Sequence, residues 1–164
     1  MRASASASLR SALRLCAAGH PRAFVQGIVS RVLAAPSEPS SGVIEALNGA
    51  IKAAFGTDAM AHMARALCGG AGRGAWGAGH LALVQTGLDA GMSMGPELAE
   101  GMVGALGEAA REQGGNVKFA KVVLTLVQKH GPLLVGRKEA LRAIAGCTKN
   151  FLSKALCAKV EALG

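Results

Sequence analysis

The chain has 164 residues, of which 51% are hydrophobic, 3% are aromatic and 23 are glycines, so one domain with a core of mostly small side chains is expected. Its formal net charge of +8 is uneven, since residues 1–37 carry +5, residues 38–115 carry −4 and residues 116–164 carry +7. No CxxC, no metal-ligand spacing of histidines and no bilayer-length apolar run occurs, and we therefore expect no disulfide framework, no metal or other cofactor and no membrane partner.

Residues 1–6 are predicted as a flexible N-terminal segment, ahead of a single helical-repeat domain over residues 7–164. The opening stretch MRASASASLRSALRL is rich in Ser, Ala and Arg and free of acidic residues, a composition typical of an organelle transit peptide. Leu9, Leu13 and Ala17 also fit one stripe of a helix, which is equally consistent with the first helix of the fold. Both interpretations stay open at this point.

Helical periodicity continues through the rest of the chain, and no segment has a convincing strand pattern. Two interruptions are predicted, a linker over residues 36–41 and a glycine-rich insert over residues 69–75. Alternate helices are expected to begin near residues 7, 43, 76, 117 and 149, at roughly 32- to 41-residue intervals. Helix pairs of this length cannot bury a face alone and therefore stack. The sequence predicts an all-α helical-repeat solenoid of stacked antiparallel helix pairs, with about nine helices.

Two short motifs match catalytic or nucleotide-binding signatures without the context that those signatures need. GRGAWG, residues 72–77, satisfies GxGxxG, and GMSMG, residues 91–95, satisfies the GxSxG turn that exposes a nucleophilic serine. Both signatures require a preceding strand, whereas helix is predicted before each motif. A surface loop and a helix-helix turn are the favoured interpretations. We expect no catalytic residues and no enzymatic activity, and only a strand before Ser93 would revive a hydrolase.

The segment NVKFAKVVLTLVQKH, residues 116–130, combines β-branched residues with lysines at helical spacing. Placed at about 100° per residue, its polar side chains gather on one arc, whereas a strand would alternate. The apolar arc is wider than that of a surface helix, which predicts a helix that is buried on two sides. Asn116 is predicted to cap its N-terminus, and Gly131-Pro132 to end it.

A last helix is predicted from about Lys149 to Leu163, with Thr148 as its N-cap. Its apolar residues form two alternative stripes, and only one of them can be buried if no further repeat follows. The stripes are Phe151, Ala155 and Val160, or Leu152, Leu156 and Leu163, and lysines 149, 154 and 159 line one side. Phe151 is therefore either a core residue or an exposed anchor for a partner.

The segments VKFAKVVLTLVQKH, GRKEAL and NFLSKALCAKV together resemble the end of the C-terminal domain of the Fanconi anaemia group E protein family. In that family a KF-x-K-aliphatic helix precedes a final N-x-FL-x-K-x-L helix. The resemblance covers about the last 50 residues well, and the upstream chain only by helix-pair rhythm. It implies a HEAT-like right-handed stack of helix pairs in a non-enzymatic adaptor subunit. The glycine-rich insert, the short chain and the basic start depart from the family's pattern, and they leave the contact surface for the group C subunit unassigned.

The resemblance also implies partners and a location. The family's member joins the nuclear Fanconi anaemia core complex, contacts the group C subunit and helps to present the group D clamp protein for monoubiquitination in DNA interstrand crosslink repair. Phe151 stands at the family's phenylalanine and is the expected contact with the substrate protein. Lys149 and Lys154 would form a cationic rim around it, which Lys118 and Lys121 extend.

An organelle-targeted helical-repeat RNA-binding protein is the alternative function. The transit-like start and the net charge of +8 favour it. Repeats that read RNA place similar basic or polar side chains at matching positions of successive repeats. Here the bases cluster at the two ends and the middle of the chain is acidic, which favours the adaptor and leaves direct nucleic-acid contact open.

Overall fold

A computed structural model of the protein describes residues 6–35, 39–68 and 76–164. Most of the predicted flexible start and part of the predicted linker lie outside these ranges, and the glycine-rich insert at residues 69–75 lies wholly outside them. Within them, every regular element is a helix and no strand occurs. The predicted all-α class is confirmed.

Eight α-helices of nine residues or more occur in the described ranges, where about nine helices were expected. They are α1 (Ala7–Gly19), α2 (Ser41–Ala54), α3 (Thr57–Cys68), α4 (Ala78–Asp89), α5 (Pro96–Gln113), α6 (Val117–Leu134), α7 (Lys138–Gly146) and α8 (Ser153–Glu161). A short 3₁₀ turn, Val135–Arg137, joins α6 to α7. Serines cap the first two helices, because Ser6 Oγ accepts the N–H of Leu9 and Ser40 Oγ accepts that of Val43.

Residues 21–33 form a further helical segment, which consists of Pro21–Phe24, a π-helical turn at Val25–Val29 and Ser30–Leu33. Pro21 occupies a first-turn position, where the missing N–H is not needed. The hydroxyl of Ser30 donates to the carbonyl oxygen of Val25 at 3.0 Å across the π turn. Periodicity predicts the helix here, but a π turn has no sequence signal that we recognised.

The helices lie in two rows. The first row contains α1, α2, α4, α6 and α8, and consecutive members of this row contact each other. The second row contains the segment 21–33, α3, α5 and α7, whose neighbours also contact in that order. Contacts between the rows join α1 to the segment 21–33, α3 to α4, α5 to α6 and α7 to α8. Apolar side chains from both rows form one core that extends from Ala17 to Leu163.

Helix α6 is buried on two sides, as its wide apolar arc predicts. Phe119, Val122 and Val123 are fully buried, and the helix contacts α4 and α8 in its own row and α5 in the other. Its N-cap is Asn116, whose Oδ1 accepts the N–H of Lys118 at 2.9 Å. The prediction of a capped helix between two layers of neighbours is confirmed.

The regular part of α6 ends at a kink directly before Gly131-Pro132. Its backbone leaves helical geometry at His130 (φ −123°, ψ 17°), and a helical turn then resumes through Leu134. Pro132 lacks the N–H that a continuous helix would need and clashes with the preceding turn, so the helix kinks there. Gly131 lies beneath the last residues of the chain, since a Cβ at this position would lie 3.2 Å from Leu163 Cδ2. The regular helix therefore ends at this kink, as predicted, and the helical turn through Leu134 is a separate piece that follows it.

Helix α8 begins later than predicted, and the prediction of Thr148 as its N-cap is wrong. Thr148 is buried, and its hydroxyl donates to the carbonyl oxygen of Ile144 in α7. The regular helix starts at Ser153, after a turn in which Asn150 Oδ1 accepts the N–H of Leu152 at 3.0 Å. Residues 147–152 form this turn because they bond to another part of the chain, a contact that local sequence does not report.

The GMSMG motif lies between α4 and α5, and α4 takes the place of the strand that a nucleophile turn needs. Gly91 has φ +82°, and its N–H bonds to the carbonyl oxygen of Leu88 at 3.2 Å, while the N–H of Met92 bonds to that of Gly87 at 3.0 Å. This pattern ends a helix with a left-handed glycine and a following buried apolar residue. The predicted helix-helix turn is confirmed, and Ser93 is an exposed residue within it.

Candidate functional site

Phe151 lies at the surface immediately before α8, with 79% of its area exposed. Leu156, Val160 and Leu163 face the core instead, so the buried stripe of the last helix combines residues from both predicted stripes. Among the large hydrophobic residues in the described ranges only Leu15, at 72%, approaches this exposure. Phe151 is thus an isolated apolar side chain at one end of the first row.

The turn that carries Phe151, residues 147–152, is held against the turn between α5 and α6. The backbone N–H of Lys149 donates to the carbonyl oxygen of Gly114 at 2.8 Å. The side-chain amide of Asn150 donates to the carbonyl oxygen of Asn116 at 3.4 Å. The backbone on both sides of Phe151 is therefore ordered, and a partner meets a preformed turn.

A close backbone contact at Gly114 makes this arrangement possible. A Cβ on Gly114 would overlap the carbonyl oxygen of Cys147, so a larger residue would separate the two turns. Asn116 is fixed beside it by Gln113, whose backbone and side-chain oxygens accept hydrogen bonds from Asn116 at 2.8 and 3.0 Å. Gly114 and Asn150 are positioning residues that the sequence did not predict. Their only local signals are the turn residues Gly-Gly-Asn and Thr-Lys-Asn, which do not identify a partner turn.

Lys149 and Lys154 precede and follow Phe151 in sequence, and both side chains are exposed. Neither forms an ion pair with any residue whose position the structure describes. An exposed phenylalanine with an unpaired lysine on each side in sequence favours an apolar contact within positive potential. Such a surface is complementary to an acidic protein surface with an apolar recess.

Lys118 and Lys121 are also exposed, in the first turns of α6. Lys118 lines a groove over α2 and α4, and neither Lys149 nor Phe151 is among the lining residues of that groove. The backbone of Lys149 bonds to Gly114, close in sequence to the start of α6. The extension of the cationic rim to Lys118 and Lys121 stays a prediction.

The other end of α8 is held by side chains of α7. Arg142 donates to both carboxylate oxygens of Glu161, from Nε at 2.7 Å and Nη2 at 2.6 Å, and also pairs with Glu139. Lys138 Nζ donates to the backbone carbonyl oxygens of Glu161 and Leu163, each at 2.7 Å. The hydrogen bonds from Arg142, followed by the charges of Arg142 and Lys138, hold the pKa of Glu161 below its ordinary value. Both ends of α8 are thus fixed.

No group of three or more His, Cys, Asp or Glu side chains within the described ranges is arranged to bind a metal ion. None of the helices with described positions combines the length and apolarity required to cross a bilayer. The GxGxxG stretch at residues 72–77 lies mostly outside the described residues.

The chain matches no protein-family model and no curated protein sequence.

Proposed function

We propose that this protein is a non-enzymatic adaptor subunit of the nuclear Fanconi anaemia core ubiquitin-ligase complex. In this role it bridges the complex to the clamp protein that is monoubiquitinated in DNA interstrand crosslink repair. The observation that carries the proposal is Phe151, which is 79% exposed on an ordered turn beside Lys149 and Lys154. It stands at the phenylalanine of the family motif in NFLSKALCAKV, within the last 50 or so residues that the resemblance covers well.

The finer architecture that we propose is a HEAT-like solenoid of stacked antiparallel helix pairs. Two features support it. Successive members of each row contact one another, as stacked repeats do, and the first-row helices recur at the spacing expected of a two-helix repeat. A solenoid offers long surfaces to several partners at once, which suits a bridging subunit.

Phe151 is proposed as the anchor of the clamp-protein contact. A phenylalanine that moves from solvent into a partner's pocket buries a large apolar area, and such residues dominate interface energies. Lys149 and Lys154 would steer an acidic partner toward it and contribute mainly to the association rate. We expect Phe151→Ala to weaken the complex about tenfold or more.

The group C subunit and the other core-complex subunits are the remaining proposed partners. Their contact surface would lie away from Phe151, because a bridging subunit must bind the complex and the clamp protein at the same time.

The test is a pull-down from nuclear extract with the full chain immobilised as wild type, Phe151→Ala or Leu15→Ala. Leu15 is a matched control because it is also highly exposed and lies at the opposite end of the first row, on α1. We expect the clamp protein to be lost with Phe151→Ala and retained with Leu15→Ala, while core-complex subunits are recovered by all three. Equal recovery of the clamp protein by all three proteins would reject Phe151 as the contact.

The organelle-targeted RNA-binding alternative is supported by the acid-free, arginine-containing start of the chain. Two measurements separate it from the adaptor: the location of a tagged full-length chain, and a mobility-shift assay with single-stranded RNA. Nuclear location without an RNA shift supports the adaptor. Organelle location together with a saturable RNA shift supports the alternative and would overturn the proposal above.

A further inference from the structure

A second surface lies over α2 and α4, where an open groove of about 740 Å³ is bordered by Lys118 of α6. Ser41 and Lys52 both line it, and at a rise of about 1.5 Å per residue the stretch of α2 between them spans about 16 Å. An extended peptide advances about 3.3 Å per residue, so about five residues of such a peptide match this length.

The groove is open because its walls carry small side chains. Gly49 of α2 and Gly79 and Ala82 of α4 all line it. The two helices also approach closely beneath it, since a Cβ on Gly79 would lie 3.1 Å from Cγ1 of Ile44. Gly79 therefore allows α2 and α4 to pack closely beneath the groove.

The groove has an excess of positive charge. Its one described acidic lining residue, Glu45, lies 3.8 Å from the guanidinium group of Arg10, which offsets its charge. Lys52 and Lys118 form no ion pair with any residue of the described ranges. The guanidinium of Arg14 also lies over Gly49, 3.6 Å from where a Cβ would be. An acidic ligand would thus find unpaired cations along the groove.

Asn48, between these cations, has a side-chain oxygen that is shielded from solvent and has no hydrogen-bond partner among the described residues. A buried polar atom without a partner is unfavourable, and Asn48 is one of the residues that line the groove. An amide both donates and accepts, so it can pair with the N–H and C=O of an extended peptide backbone.

We propose that this groove binds an extended acidic peptide segment of a partner protein. Its carboxylates pair with Lys52 and Lys118, its small apolar residues lie on Gly79 and Ala82, and its backbone bonds to the Asn48 amide. Nucleic acid is the less suitable occupant, since none of the described lining residues is aromatic and base stacking has no platform there. The inference does not depend on the proposed function, because Phe151 does not line the groove and Lys118 is the one residue that the two proposals share.

The test uses fluorescence anisotropy with the full chain and a labelled peptide of alternating glutamate and alanine, about eight residues long. Two comparison probes are used: the same peptide with lysine in place of each glutamate, and a single-stranded RNA. The variants are Lys52→Glu/Lys118→Glu and a control of equal charge change, Arg31→Glu/Lys159→Glu, whose residues are exposed and lie outside the groove. Circular dichroism and thermal melting verify that each variant is folded.

We expect the acidic peptide to bind saturably. Its affinity should be at least tenfold weaker with Lys52→Glu/Lys118→Glu than with the control variant. Phe151→Ala should leave it unchanged, so this outcome is separable from the clamp-protein test. Equal weakening by both charge variants would mean nonspecific attraction and would overturn the proposal. The proposal would also be overturned if the acidic peptide showed no saturable binding. The same holds if RNA bound more tightly than the peptide and lost that binding with Lys52→Glu/Lys118→Glu.

Discussion

The backbone N–H of Lys149 donates to the carbonyl oxygen of Gly114 at 2.8 Å, and this bond joins two turns that are more than thirty residues apart in sequence. One turn follows α5 and the other precedes α8, so the bond fixes the start of the last helix to the body of the molecule. Because both groups belong to the backbone, the contact depends on how closely the two turns of the chain approach each other.

Gly114→Ala should destabilise the fold, since its Cβ would overlap the carbonyl oxygen of Cys147 and the backbone has no side-chain freedom to relieve the contact. We expect the free energy of unfolding to fall by about 2 to 3 kcal/mol, as for overpacked sites. Gly115→Ala is the control, because a Cβ there meets nothing within 4 Å, and it should change the value by less than about 0.5 kcal/mol. Urea unfolding followed by circular dichroism measures both. Equal stability of the two variants would contradict the contact.

Lys129→Met should loosen the end of α4. The Lys129 ammonium donates to the carbonyl oxygens of Leu88 at 2.6 Å and Asp89 at 3.2 Å, which lie at the negative end of the helix. Methionine keeps the apolar stem and removes the donor, so we expect a loss of about 1 to 2 kcal/mol in the free energy of unfolding. Lys121→Met, on the same helix and without such bonds, should be near neutral. Thermal melting of Lys129→Met and Lys121→Met tests this prediction. Indistinguishable melting temperatures of the two variants would refute it.

Glu161 should make the fold sensitive to acid. Its pKa is lowered mainly by the hydrogen bonds from Arg142, so its contribution to stability is present above the ordinary carboxyl pKa of about 4.3 and is lost as the pH falls through the folded-state value. We expect the melting temperature of the wild type to fall more between pH 6 and pH 3 than that of Glu161→Gln. Glu97→Gln is the control, because Glu97 is exposed and forms no ion pair within the described ranges. Parallel pH profiles for wild type and Glu161→Gln would count against the bond.

His130 should add a second pH dependence at higher pH. Burial, and then the charge of Lys129, lower its pKa below the ordinary value of about 6.5, and its Nε2 is shielded without a partner in the described structure. The unfolded chain therefore binds the proton first, and the free energy of unfolding falls as the pH drops from just above 6.5 through the folded-state pKa. His130→Leu should flatten this part of the profile. Urea unfolding at pH 7.5 and pH 5.5 measures it, with exposed His20 replaced by Leu as the control.

Much of the fold was predictable because each helix has a local cause. The apolar period and the Asn116 cap identify α6 and its two-sided burial, and Gly91 before the Pro96 helix start identifies the turn between α4 and α5. These signals act within one or two helical turns, where the sequence alone is sufficient. Alternate helices begin at residues 7, 41, 78, 117 and 153, close to the predicted starts.

The candidate site was less predictable, because its geometry depends on contacts between distant residues. Thr148 has a typical capping side chain, yet the turn at residues 147–152 bonds to Gly114 and Asn116 and delays the helix. The same turn exposes Phe151. The two apolar stripes in the sequence left open whether Phe151 is buried or exposed. The groove beside Lys118 requires Gly79 and Ala82 to meet α2, which no spacing within either helix reports.

The closely packed turn at Gly114 and Cys147 has a kinetic consequence. A macromolecule that binds at Phe151 would not have to order a flexible loop first, so encounter should be limited by diffusion and orientation of rigid bodies. Substitutions of Phe151 would then lengthen or shorten the lifetime of the complex and leave its formation rate nearly constant. Loosening the Gly114 contact would instead lower the rate at which the complex forms and leave its lifetime nearly constant. The reason is that the binding-competent arrangement of the turn would be populated only part of the time.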